Sequence, residues 1–196
     1  MQYKYIISFL LFIFIAILFI LLNAKAEKEW TVMIYASTDS DLHEEGSYVV
    51  ELLGYIGSSN KVDFIILYDG DQRNDTRAYY VPKSSWFGSS GLKSIPLNEI
   101  TNNLVNPNEA NMGNPLVARD FIKYTINKYP SKKYAIVFWG HAGGGGGFAK
   151  DSGDNDKITV PEIQIILSPI KSILGRNLDV FAISSCWAGT AENFYE

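Results

Sequence analysis

Two apolar runs that each end in a reactive side chain constrain this chain more than anything else in it. Residues 134–147 read YAIVFWGHAGGGGG and residues 179–189 read DVFAISSCWAG. Both begin as the β-branched and aromatic stretches that fill buried strands. The first runs into His141 and the second into Cys186, the chain's single cysteine. In a parallel sheet the carboxyl ends of the strands share one edge, where ligand sites form. Two such strands side by side bring an imidazole and a thiol to one crevice, the pairing of a cysteine nucleophile with its base.

The rest of the chain supplies the framework such strands need. Residues 30–37, WTVMIYAS, and 62–68, VDFIILY, are two more buried-strand patterns, and 77–81 is a third, stopped by Pro82. Between the first two, Leu42, Val49, Leu52, Leu53 and Ile56 recur at helical spacing before Gly57, behind the capping residues Thr38-Asp39-Ser40-Asp41. From Pro82 to Met112 the sequence reads as loops with one short strand near residues 92–95. Asn114-Pro115 opens a helix whose apolar face is Leu116, Val117, Phe121, Ile122, Thr125, Ile126 and Tyr129, closed by Pro130. A polar loop, DSGDNDKIT, follows the glycine run. Thr159 and Glu162, at capping-box spacing, then open a helix over Ile163, Ile166, Leu167 and Ile170, with a kink expected at Pro169 and an end at Gly175. A further helix is expected over residues 189–196. Strands alternating with helices imply a parallel sheet covered on both faces.

Composition narrows the function classes. With 196 residues and 47% hydrophobic content the chain suits one globular domain, and 14% aromatics argues against disorder. The formal charge is −4 and no basic stripe appears, which disfavours nucleic acid as a partner. Lys4, an apolar run over residues 5–22 and the Ala24-Lys25-Ala26 ending have the order of an export signal. The run is also long enough to cross a bilayer. Residues 1–26 are therefore read as a signal peptide or a membrane anchor, residues 27–196 as the folded domain, and the localisation as secreted or cell envelope. Membrane contact is expected only through that segment.

A free cysteine in an exported chain is either a reactive thiol, half of an intermolecular bridge or a small buried hydrophobe. Reactivity requires a lowered thiol pKa, which a helix amino terminus or a neighbouring imidazolium provides. His141 then protonates the leaving amine. Oxyanion donors are sought at the backbone N–H groups of Cys186, Ala142 and Gly143. The five glycines from Gly143 to Gly147 match neither a phosphate-binding loop nor a dinucleotide fingerprint. Zinc lacks ligands. Asp39, Asp41, Glu44 and Glu45 offer oxygens to a calcium ion, or simply cap a helix. No cofactor is required by the chemistry.

Three segments taken in order resemble the clostripain family of cysteine peptidases: WTVMIYAS with DLHEE, then MGNPLVARDFIKYTINKYPSKKYAIVFWGHAGG, then LDVFAISSCWAGTAENFYE. The resemblance covers essentially all of residues 30–196. It implies a caspase-like three-layer α/β/α sandwich around a mostly parallel sheet, ending here short of the family's full domain. It implies a His141–Cys186 dyad cleaving peptides through an acyl-enzyme, with substrate lining at Ser184 and Ser185. Family members often cut after Arg or Lys and are activated by cleavage beyond the histidine, where Lys150 falls. Two positions depart from the pattern: Ser184 stands where an acidic residue helps bind a basic P1 side chain, and Ala142 replaces a glycine. The alternative is a non-catalytic exported binding or structural domain that keeps the fold.

Overall fold

A computed structural model of the chain describes residues 27–83 and 91–189. The candidate export segment, residues 1–26, and the helix expected at 189–196 lie outside the described residues, apart from Gly189. Six strands form the main sheet: β1 (Lys28–Ser37), β2 (Val62–Asp69), β3 (Arg77–Val81), β4 (Lys93–Ile95), β5 (Ser131–Gly140) and β8 (Val180–Ser184), in the order β4-β3-β2-β1-β5-β8. The four strands β2, β1, β5 and β8 run parallel, and β3 and β4 turn back antiparallel at one edge. All six strands read from the sequence are present. β1 and β5 are the longest strands and sit in the middle, as their unbroken apolar composition requires.

Helices cover both faces. On one side, α3 (Pro115–Lys128) and α4 (Ile163–Leu174) pack over Met33, Tyr35, Ile136 and Phe138. On the other, α1 (His43–Ile56) closes a smaller cluster of Ala36, Leu53, Ile66 and Val81. The short α2 (Leu97–Ile100) lies in the stretch read as loop. The amino end of α3 is set as the sequence indicates, with the Asn114 Oδ1 accepting the Leu116 N–H at 2.9 Å. Its face Val117, Ala118, Phe121, Ile122, Thr125 and Ile126 is buried. The Thr159–Glu162 capping box is formed, opening α4 through a 3-10 turn (Val160–Glu162), and Gly175 ends it in the left-handed conformation.

Three expectations change. The acidic residues before α1 do not cap it: its N-cap position is Leu42, with no side-chain hydrogen bond. Asp39 and Asp41 are instead drawn to residues a hundred or more positions away. Leu52 and Ile56 are exposed rather than part of a buried face. The polar loop after the glycines also contains a hairpin, β6 (Phe148–Asp151) with β7 (Asp156–Ile158). Its anchor is Phe148, whose ring meets Phe138 edge-on at 5.0 Å. Local composition hid this strand, whose anchors come from distant parts of the chain.

Phe138 is the hub of the larger core. It is fully buried and touches Tyr35 from β1, Phe148 from β6 and Phe181 from β8, with ring centroids 5.0–5.3 Å apart. The ring therefore ties together the strands whose carboxyl ends matter most. Replacing Phe138 with Ala is expected to cost about 3–5 kcal/mol of stability through lost burial and a cavity, measured as a fall in the urea unfolding midpoint.

Candidate active site

The site follows from strand register. β5 and β8 pair from Ala135↔Val180 to Trp139↔Ser184, so His141 and Cys186 each lie two residues beyond the last rung, on neighbouring strands. The register is pinned at its other end. Asp179 Oδ2 accepts the Tyr134 N–H at 2.9 Å, the Asp179 N–H returns to the Tyr134 carbonyl, and Arg176 grips the same carboxylate at 2.8 Å. Cys186 is a free, exposed thiol. The next residue, Trp187, has φ 60° and is 82% exposed. An aromatic residue in the left-handed region marks a sharply constrained turn immediately after the thiol.

On its other side β5 pairs with β1, and the two chains diverge after Ser37 and Gly140. This is the point where strand order reverses from β1, the usual place for a crevice in such sheets. Gly140 has φ +146°, and a Cβ there would stand 2.2 Å from the Ser37 carbonyl oxygen, so only glycine lets β5 turn away this close to β1. The turn delivers His141 to the β1–α1 loop, where its Nε2 meets Asp41 Oδ1 at 2.6 Å. The hydrogen bond and charge of His141 hold the Asp41 carboxyl below the usual carboxylate range. Among the described residues the imidazole bonds to Asp41 and not to the thiol. Sequence reasoning placed Asp41 at a helix cap and missed this contact. The one available signal was an acid four residues past a strand end, and strand order was needed to use it.

The other candidate residues distribute unevenly. Ala142 is half-buried with its methyl against the core. The Gly143 N–H donates to the Gly147 carbonyl at 3.0 Å around a 3-10 turn (Gly144–Gly146), so it is engaged within its own loop. Ser184 is exposed at the end of β8, and the Ser185 Oγ is buried without a hydrogen-bond partner. Lys150 lies in β6 with its side chain exposed; its carbonyl accepts the Ser37 hydroxyl at 2.7 Å, and Asp151 after it is buried.

A second feature of the same edge is acidic. The Asp39, Asp41, Glu44 and Glu45 group does not converge. Asp41 serves His141, while Glu44 and Glu45 are exposed on the first turn of α1. Asp39 instead faces Asp69, at the end of β2, and Asp151, at the end of β6; one oxygen of each lies within 4.8 Å of the others. Asp69 also belongs to a second such group with Asp75 and Glu109. Burial pushes the Asp69 carboxyl up to about 9, and the charges of Asp151, Glu109 and Asp75 add to this against the opposing hydrogen bond from Thr76. Burial likewise raises Asp151 to about 6.

Comparison with known proteins places the fold and the family. Two solved structures share the fold: a secreted C11 cysteine protease from Bacteroides thetaiotaomicron bound to an irreversible peptide inhibitor, and an inactive zymogen C11 protease from Parabacteroides distasonis. The first superposes with a TM-score of 0.62 at 18% identity over 81% of this chain and 43% of that one. The second gives 0.64 at 16% identity over 87% and 45%. The architecture is thus a caspase-like α/β/α sandwich. Residues 35–196 match the model of peptidase C11, the clostripain family, and the chain belongs to that family. Clostripain of Hathewaya histolytica is 27% identical over 207 residues, covering 89% of this chain. The chain spans 37% of that protein's length and less than half of either structure.

Proposed function

We propose that this protein is an exported cysteine endopeptidase in which Cys186 and His141 perform the chemistry. The observation that carries the reading is their placement at equal distance beyond the Trp139↔Ser184 rung, in a chain of the clostripain family. The Cys186 sulfur attacks the scissile carbonyl carbon; a C–S bond forms, and the thiol proton passes to His141. As the C–N bond breaks, His141 gives that proton to the departing amine. Water then attacks the thioester, again with His141 as base, releasing the acid and restoring the thiol. None of these steps uses a metal or an organic cofactor.

Asp41 gives the imidazole its orientation. An ionised carboxylate only accepts hydrogen bonds, so the proton sits on Nε2 and the lone pair remains on Nδ1. Backbone N–H groups of Cys186 and Ala142 serve the oxyanion, and Gly143 joins them only if its bond to Gly147 opens. Ser184, exposed at the end of β8, and the backbone of Ser185 line the substrate side. Peptides with a basic P1 residue are the proposed substrates; Ser184 contributes no charge, so selectivity over neutral residues is modest. Export rests on residues 1–26. No helix among the described residues is long and apolar enough to cross a membrane.

The competing reading is a non-catalytic exported domain, favoured by one observation: the imidazole bonds to Asp41 rather than to the thiol. Iodoacetamide labelling at pH 6 separates the two. An activated Cys186 labels on the order of tenfold faster in the native sequence than in His141→Ala. Equal, slow rates in both would overturn the peptidase reading.

Asp41→Asn is expected to lower kcat/KM on peptide substrates by about fivefold, the upper end for an exposed charge pair, without changing the unfolding midpoint. An unchanged kcat/KM would remove the orienting role. Self-processing after Lys150 requires the β6–β7 hairpin to open, because the Lys150 carbonyl is held by Ser37. Cys186→Ala should therefore give an uncut chain on gel electrophoresis, whereas a nick that persists in that variant belongs to another protease.

A further inference from the structure

The edge of the sheet opposite His141 and Cys186 carries an inference independent of the peptidase chemistry. Strands β1, β2 and β5 begin at this edge and α1 and α3 end there, which brings the exposed Lys61, Lys128, Lys132 and Lys133 to one end of the molecule. Register makes the gathering close: Trp30 lies opposite Val62 on one side and Lys133 on the other. The hydrogen bond and charge of Lys132, joined by the charges of Lys61 and Lys133, hold the Glu29 carboxyl below the usual carboxylate range.

The acids at this edge are largely engaged. Glu29 pairs with Lys132 at 2.7 Å, Asp63 with Lys28 at 3.3 Å and Asp179 with Arg176 at 2.8 Å. Glu27, exposed before β1, is the acid that remains among the described residues there. Lys61, Lys128 and Lys133 form no ion pair among the described residues, and Lys133 lies over the Trp30 ring, 5.2 Å from its centroid. A lysine in the last turn of a helix offsets the helix dipole, which accounts for Lys128. Lys61, Lys132 and Lys133 stand at strand starts, where that explanation does not apply.

The surroundings make this more than a solvated basic face. The chain as a whole is acidic, with a formal charge of −4, and the opposite edge holds Asp39, Asp41, Asp69 and Asp151. Charge is thus segregated between the two ends, which orients the molecule in front of an anionic surface. Tyr55 and Ile56 close α1 at the basic end and are 56% and 62% exposed. Apolar and tyrosine side chains beside lysines suit the boundary between lipid headgroups and water. The sequence leads to the same place: the apolar run of residues 5–22 precedes β1, and full extension carries the chain from Leu22 to Lys28 over at most about 20 Å. A run lodged in a bilayer holds the start of β1, and this edge with it, close to lipid.

We propose that the amino-terminal edge of the sheet docks on an anionic phospholipid bilayer through Lys61, Lys128, Lys132 and Lys133, with Tyr55 and Ile56 beside them. Each lysine near such a surface strengthens the attachment about fivefold. A basic patch of this size is weak alone and effective when joined to a second, apolar attachment. Docking also sets direction. β5 runs ten residues, about 33 Å, away from the lipid, so the edge bearing His141 and Cys186 faces outward. The role is one of placement and holds whether or not Cys186 is a working nucleophile.

The test uses the complete chain, reconstituted into neutral phosphatidylcholine vesicles and into vesicles with about one-third phosphatidylglycerol. A fluorophore is placed at the basic edge through Asn60→Cys in a Cys186→Ser chain, and at the opposite edge, in a second sample, on Cys186 itself. Acrylamide quenching at residue 60 is expected to fall roughly twofold or more on the anionic vesicles, and to recover at about 0.5 M salt. Quenching at Cys186 should be the same on both. Combining Lys61→Gln, Lys128→Gln and Lys133→Gln weakens docking on the order of a hundredfold and should abolish the protection, with the urea midpoint confirming an intact fold. Should that triple variant fail to fold, Lys61→Gln alone is expected to weaken docking about fivefold. Equal quenching at residue 60 on the two vesicle types, protection that survives the lysine substitutions or high salt, or protection at Cys186 instead would each overturn the proposal. Equal protection on both vesicle types would assign the face to a second copy of the chain.

Discussion

Backbone pairing of β5 between β1 and β8 is the constraint on which the rest of this structure depends. Each parallel ladder locks relative height, because a slip of one residue would turn every side chain to the opposite face. With both faces of β5 covered by helices, such a slip would move Ile136 and Phe138 out of the larger core and push Trp139, which packs on the opposite face, into it. The Asp179 contacts with Tyr134 add a polar clamp where β8 begins. Core packing thereby dictates, several residues further on, where an imidazole and a thiol emerge. The chemistry inherits its geometry from hydrophobic burial.

The carboxyl edge of the sheet gathers more than these two groups. β1, β2, β5 and β8 all end there, and so does the β6 hairpin that the aromatic cluster holds against the sheet. Loops leaving such an edge have few other partners, so their polar side chains meet one another. Two outcomes result. Asp41 finds His141 at the surface, where the pair remains hydrated and of modest strength. Asp69 and Asp151 meet under the surface, where the same kind of charge is strongly penalised. Distance from water, rather than residue type, separates the two cases.

The Ser37–Lys150 bond ties the hairpin to the end of β1, and the Lys150 amide reaches the His141 carbonyl. The segment after the glycines is therefore part of the support for the histidine. The glycines between them are folded into a small turn closed by Gly143 and Gly147. A change in that hairpin reaches the imidazole through two backbone contacts, without any rearrangement of the sheet.

Much of this was legible in the linear sequence. Apolar runs bounded by turn residues located the strands, caps located α3 and α4, and the positions of His141 and Cys186 at strand ends marked the edge that matters. These are local signals, set by period, propensity and capping within a few residues. What the chain order could not show was which strands are neighbours, and so which loops meet. Asp41 reads as a helix cap until β1 is known to lie beside β5. Asp39 and Asp151 are more than a hundred residues apart, and Asp69 is an ordinary acid until it is buried. The β6 strand is polar enough to pass for a loop, and its anchors, the ring of Phe148 against Phe138 and the Ser37–Lys150 bond, both come from distant segments. Local composition determined the elements and the reactive residues; tertiary packing decided the pairings between loops, because those depend on strand order and burial, to which no short stretch of sequence responds.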